Sequence, residues 1–250
     1  MADFDTIEKV ANEIKTKFTL NPGVKNVIAL YAFNSTGKTR LSNLLNIKDE
    51  TDGDTEDEEI RSLCYNVFLE DMFRWDNDNY VLQFDRSSWF AKMIIEQGLE
   101  DQIIKNFRDI IDSKVEPAFD FISGSVVFNI VSGDDASETN VKISKGEESV
   151  FVWSFFYSIL ITVIDILNSN YGDRATHEFD SLKYIIIDDP VSSIDDTKII
   201  SIAIKLVDAI KTCKNNQLNF FVTTHHALFY NVLMNSFNKN DEQCKFRSYS

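Results

Sequence analysis

Two stretches of this chain combine residue types that could do chemistry together. Residues 184–195 read YIIIDDPVSSID, an apolar run that ends in the paired carboxylates of Asp188 and Asp189. The run has the character of a central parallel strand covered on both faces, and open α/β sheets bind ligands at the carboxyl ends of such strands. Two adjacent acids at that edge repel each other unless a cation is near, and a hard divalent metal with oxygen ligands is the simplest one. A carboxylate-held metal at a strand end predicts a phosphate site elsewhere in the chain.

That site is near the front. Residues 26–31 (NVIALY) form an apolar strand pattern that runs into Ala32, Phe33, Asn34, Ser35, Thr36, Gly37, Lys38 and Thr39, and a helical pattern follows over 40–45. The segment fits the phosphate-cradling loop G-x-x-x-x-G-K-[ST] at every position but the first, where Ala32 replaces glycine. In that geometry the N–H groups of the loop and of the helix start, from Asn34 to Arg40, face the phosphates. Lys38 reaches the terminal ones, and the Thr39 hydroxyl joins Asp188 on Mg²⁺.

The rest of the chain must position these groups. With 250 residues, 44% of them hydrophobic and 20 of them phenylalanine, it can bury one large α/β core with an inserted subdomain, which excludes a disordered chain. The formal net charge of −15 argues against a surface that grips nucleic acid by itself. Cys64, Cys213 and Cys244 form no C-x-x-C pair and read as small buried residues of a reduced compartment. No signal peptide opens the chain and no uninterrupted apolar run reaches membrane-spanning length, so a soluble, cytoplasmic protein without a membrane partner is expected.

In chain order, residues 3–18 have helical spacing, and the acidic tract at about 49–59 reads as a solvated loop. Strands are expected at 62–69 and 80–84. Gln83 near the end of the second is either an exposed strand residue or a contact to metal or water. A helical segment over 87–112 and a strand at 125–131 follow, then a loop at 134–138.

Ser144, Lys145, Gly146 and Glu147 open a long helix that is too apolar all round for a surface position. Ser144 and Glu147 match a capping box, which does not explain Gly146. A helix start with Ser, Lys and Gly is also an anion site, where the γ-phosphate of a neighbouring subunit's nucleotide could dock. Residues 168–181 read as a polar insertion whose His177 is solvent-exposed, and a helix is expected at 196–214. The strand at 218–222 then delivers Thr223, Thr224, His225 and His226 to the same sheet edge as Asp188, with His225 suited to bind the γ-phosphate or the attacking water. The expected fold class is thus α/β.

The order of phosphate loop, glutamine, Ser-x-Gly-Glu before a long helix, acid-pair strand, Ser-Ser-Ile-Asp and Thr-His resembles the ATP-binding-cassette (ABC) ATPases, in the branch that includes structural-maintenance-of-chromosomes (SMC) heads. The resemblance implies a P-loop NTPase of ABC/SMC-head type: a mixed, mostly parallel sheet with an inserted helical subdomain, the helical and signature region falling at about 87–168. It implies two heads paired head to tail, with Ser144 to Glu147 acting in trans as the signature and Ser192, Ser193 and Asp195 as the loop that crosses the interface. Gln83 takes the place of the metal-contacting glutamine, Asp189 that of the general base and His225 that of the switch histidine.

More closely, segments 31–42, 70–78, 144–149, 187–196 and 228–233 resemble the nucleotide-binding domain of bacterial anticodon nucleases of the PrrC type. That resemblance implies a phage-defence toxin in which hydrolysis of GTP or ATP switches on tRNA cleavage. It also implies latency within a type I restriction–modification complex, a response to dTTP, and nuclease residues in a C-terminal domain beyond Ser250. Asp189 stands where most ABC ATPases have glutamate, which points to slow, regulatory turnover. The competing readings are a non-hydrolysing nucleotide sensor or scaffold, and a DNA-repair ATPase head, for whose coiled-coil arms the stretch between Gln83 and Ser144 is short and aromatic.

Overall fold

The computed structural model describes residues 6–20, 23–46, 60–111, 114–130, 139–237 and 244–249. The acidic tract at 49–59 and the expected loop at 134–138 lie outside them. In chain order the elements are α1 (Ile7–Thr19), β1 (Lys25–Tyr31), α2 (Lys38–Leu45), β2 (Ser62–Tyr65), α3 (Val67–Glu70), β3 (Phe73–Asp76), β4 (Val81–Phe84), α4 (Trp89–Gln97) and α5 (Glu100–Ile110). There follow β5 (Val115–Asp120), β6 (Ser125–Ile130), α6 (Lys145–Asn168), β7 (Tyr184–Asp188), α7 (Asp196–Thr212), β8 (Asn219–Thr224), α8 (Ala227–Ser236) and β9 (Cys244–Tyr249). They fall into two compact units.

The first unit comprises Met1–Asn66, Thr162–Val191 and Ala203–Ser250. Its sheet has the order β2-β7-β8-β1-β9, and every pairing in it is parallel. The apolar runs at Val27 to Ala29, Ile185 to Ile187 and Phe220 to Val222 are buried, as central strands covered on both faces require. On one face α1 and α2 supply Ala11, Ile14, Phe18, Leu41 and Leu45, which pack with Ile28, Ile186 and Phe221. This is an α/β fold with an all-parallel sheet and the loop-bearing strand β1 inside it.

The second unit comprises Val67–Ile161 and Ser192–Ile202. Sequence reading expects a helical insertion here. The unit does contain α3, α4 and α5, but also a four-stranded antiparallel sheet in the order β3-β4-β6-β5. The helical segment expected over 87–112 is two helices, parted at Gly98, whose φ of 61° ends α4 in the left-handed conformation. Phenylalanines fill the core: Phe73 meets Phe155 edge-on at 5.0 Å, and Phe128 meets Phe151 edge-on at 5.3 Å. Among the described residues, α6 is the one helix long and apolar enough to cross a membrane, yet 83% of its most apolar 18-residue window is buried inside the protein. Its composition is that of a core helix.

One buried charge in the first unit is committed to structure. Lys25 is 4% exposed, and its Nζ donates to the carbonyls of Ile210 at 2.6 Å and Cys213 at 2.7 Å, at the C-terminal end of α7. An ammonium there satisfies orphan carbonyls at the negative end of the helix dipole. Lys25→Met keeps the aliphatic stem and removes the donors. It should cost roughly 1–3 kcal/mol and lower the thermal midpoint by several degrees, read by differential scanning calorimetry. An unchanged midpoint would show that this cap contributes nothing.

Candidate functional site

β1 ends at Tyr31, level with Thr224 of β8, and the Ala32 N–H donates to the Thr224 carbonyl at 3.0 Å. The loop is thereby anchored to the neighbouring strand before it turns. Ser35 (φ 65°) and Gly37 (φ 92°) take the left-handed backbone that curls it, whereas Ala32 does not, so its methyl is tolerated at the position where glycine is usual. At the start of α2, Lys38 is 8% exposed. Its Nζ donates to the carbonyls of Ala32 and Phe33, both at 3.1 Å, and to Asn34 Oδ1 at 3.3 Å. The loop therefore wraps around one ammonium. Thr39 is half-buried, while Arg40, expected beside the nucleotide, pairs its guanidinium with Glu8 of α1.

The acids arrive on β7, and β8 lies between β7 and β1. Because all three strands are parallel, Asp188 and the loop share the carboxyl edge of the sheet. Asp188 is 5% exposed, and its Oδ1 accepts the Thr223 hydroxyl at 2.5 Å. Asp189 has φ 53°, a costly conformation for a non-glycine residue, and its own N–H is held by the Thr223 carbonyl at 3.0 Å. Its Oδ1 accepts the His225 N–H at 3.2 Å and the Thr224 hydroxyl at 3.3 Å. Its Oδ2 lies 2.5 Å from His225 Nδ1 and 3.6 Å from Lys38 Nζ. Lys38, Asp189 and His225 are thus one cluster.

The donor set fits magnesium. Thr39 offers a hydroxyl and Asp188 a carboxylate, both hard oxygens, and among the described residues Oδ2 of Asp188 accepts no hydrogen bond. Among those residues no group of three or more His, Cys, Asp or Glu is assembled for a metal. Magnesium in nucleotide sites commonly takes one or two protein oxygens and completes its shell with water and substrate phosphates.

The second unit holds the remaining candidates. Ser144 and Glu147 form the expected capping box: the Ser144 N–H donates to Glu147 Oε2 at 2.8 Å, and the Glu147 N–H to Ser144 Oγ at 3.2 Å. Lys145 is paired with Glu148 at 2.8 Å. Gly146, unexplained by the cap, has a packing reason, because a Cβ there would lie 3.2 Å from the Ser193 carbonyl oxygen. The helix start therefore packs against the Ser192 to Asp195 loop, in which Ser193 has φ 65° and Asp195 pairs with Lys198 at 2.8 Å. Gln83 is an exposed residue of β4 whose amide donates to Asp76 at 3.4 Å. In the first unit, His177 is engaged by Asp180 at 2.8 Å. Sequence reading gave no roles to Thr223 and Thr224, and the signal was two adjacent hydroxyls ending a run that is otherwise Phe, Phe and Val.

No protein-family model matches the chain. Among curated proteins, an anticodon nuclease of Escherichia coli is 40% identical over 256 residues, a match that covers 93% of this chain and 63% of that protein. The chain thus spans slightly less than two thirds of the curated relative it matches, and the resemblance to anticodon nucleases read from five segments extends along nearly all of it. Among solved structures, the SMC head domain of Thermotoga maritima is 10% identical with a TM-score of 0.35, covering 86% of this chain and 84% of that one. The Smc head of Pyrococcus furiosus, with an extended coiled coil and bound to the C-terminal domain of ScpA, is 14% identical with a TM-score of 0.35, covering 58% and 31%. These structural likenesses are slight.

Gly37→Ala places a side chain at φ 92°, with the new Cβ 2.5 Å from Ile7 Cδ1. It should destabilise the protein by about 1–3 kcal/mol, whereas Gly172→Ala, whose added Cβ meets nothing within 4 Å, should not. Chemical denaturation of the two variants checks the contrast. Equal midpoints would mean that the loop does not need its glycine.

Proposed function

We propose that this relative of anticodon nucleases binds a nucleoside triphosphate, ATP or GTP, at the Lys38 loop and hydrolyses it to control tRNA cleavage by a nuclease domain. The observation that carries the proposal is the convergence of Lys38, Asp189 and His225 at one sheet edge, with Asp188 buried beside them.

The loop amides from Asn34 to Thr39 and the Lys38 ammonium neutralise the β- and γ-phosphates. Thr39 and Asp188 would hold Mg²⁺, which when bound supplies charge neutralisation of the phosphate oxygens. Asp189 carries three hydrogen bonds, from the Thr224 hydroxyl and the His225 N–H on Oδ1 and with His225 Nδ1 on Oδ2, and Oδ2 also lies 3.6 Å from the Lys38 ammonium as an ion pair. Capture of the γ-phosphate by Lys38 would draw the ammonium away from Asp189 and leave it a stronger base, and its three hydrogen bonds fit slow turnover. His225, 29% exposed, holds Asp189 through its Nδ1.

In a head-to-tail pair, Ser144, Lys145, Gly146 and Glu147 of one copy would meet the γ-phosphate of the other. The contact of Gly146 with Ser193 joins this segment to the Ser192 to Asp195 loop, so both would approach the partner together. Gln83 would sense the metal or its water. The whole protein would act in the cytoplasm on tRNA, would be restrained by a type I restriction–modification complex and would respond to dTTP as well as to ATP or GTP. The second reading, a nucleotide sensor without turnover, is favoured by the three hydrogen bonds that already engage Asp189.

Phosphate release with ATP and with GTP, alongside fluorescent-nucleotide binding, separates the two. The wild type should turn over many times, and Lys38→Ala should lose binding. Asp189→Asn should bind normally while its kcat falls by about 10²–10⁴-fold. Tight binding by a wild type that releases no phosphate would establish the sensor instead.

A further inference from the structure

The last two residues of β8, Thr223 and Thr224, are 0% and 1% exposed, in a strand whose other central positions are apolar. Valine would fit such positions as well as threonine does. The hydroxyls therefore need an account, and each is spent on a different carboxylate. Thr223 is level with Asp188 in the parallel β7–β8 pair and donates to its Oδ1 at 2.5 Å. Thr224 Oγ1 accepts the His226 N–H at 3.0 Å, so its single proton is left for Asp189 Oδ1 at 3.3 Å. Neighbouring strand residues point to opposite faces, and one strand end serves both acids only because Asp189 has turned into the left-handed conformation just past β7.

We infer that Thr223 and Thr224 are positioning residues that divide the work of the acid pair: Thr223 orients Asp188 for the metal, and Thr224 orients Asp189 for the attacking water. The inference rests on the nucleotide-hydrolysis reading and adds to it a separation of functions. A buried hydroxyl bonded to an ionised carboxylate fixes which oxygen lone pairs remain available. Partners of this outer kind commonly change metal affinity 10–100-fold. A loosened water-orienting group acts instead on the chemical step.

The test compares Thr223→Val, Thr223→Ser, Thr224→Val and Thr224→Ser in the intact protein, with thermal midpoints recorded for each. Mn²⁺ binding is followed by electron paramagnetic resonance in the presence of a non-hydrolysable triphosphate analogue, and phosphate release gives kcat and KM. Thr223→Val should weaken Mn²⁺ binding about 10–100-fold while analogue affinity in EDTA stays unchanged. Thr224→Val should lower kcat about 10–100-fold with KM and Mn²⁺ affinity unchanged. Each serine variant should restore wild-type values. Valine variants within twofold of the wild type, or serine variants as impaired as the valines, would overturn the inference while leaving the hydrolysis reading in place. A wild type that neither binds nor hydrolyses the nucleotide would remove that reading, and this one with it.

Discussion

The contact between Lys38 and Asp189 ties together two parts of the chain that lie 151 positions apart in sequence. At 3.6 Å, with the side chains 8% and 18% exposed, its gross attraction is roughly 4 kcal/mol at an effective dielectric of about 20, before desolvation is subtracted. An exposed pair such as Lys17 with Glu13 contributes at most about 1 kcal/mol. Each charge has further partners, Lys38 in the carbonyls of Ala32 and Phe33 and Asp189 in Thr224 and His225. The strand order makes the contact between Lys38 and Asp189 possible: β1 and β7 flank β8 in parallel, so that loop and carboxylates emerge on one edge. The bonds from Ala32 to Thr224 and from Asp189 to Thr223 then clamp both segments to the end of β8.

The second unit solves a different problem. Its phenylalanines build an aromatic core between an antiparallel sheet and the start of α6. That core holds the capping box of Ser144 and Glu147 on a rigid helix start. Gly146 lets the Ser193 backbone approach that start closely, so two loops distant in sequence share one surface. Glycine is used there for proximity, and at Gly37 for its backbone angle.

The chemistry-bearing strands could be read from residue types alone, because β1, β7 and β8 are buried on both faces and appear as continuous apolar runs. β5 could not. Pro117 sits inside it, and proline speaks against a strand except at an edge, which is where β5 lies in its sheet. β3 was concealed in a polar segment because only Phe73 of its four residues is buried. The break between α4 and α5 lies at Gly98, which interrupts a helical periodicity that continues on either side of it. The phosphate loop and acid pair were visible as motifs. The roles of Thr223 and Thr224 were not, because a threonine at a strand end has ordinary β propensity, and only the partner of its hydroxyl distinguishes it.

A crystal structure of the protein with Mg²⁺ and a non-hydrolysable triphosphate analogue tests the central claim most directly. The account requires the γ-phosphate on Lys38, the metal bonded to the Thr39 hydroxyl and the Asp188 carboxylate, and Asp189 released from Lys38. A nucleotide bound away from the Lys38 loop, or a metal that leaves Asp188 untouched, would contradict it.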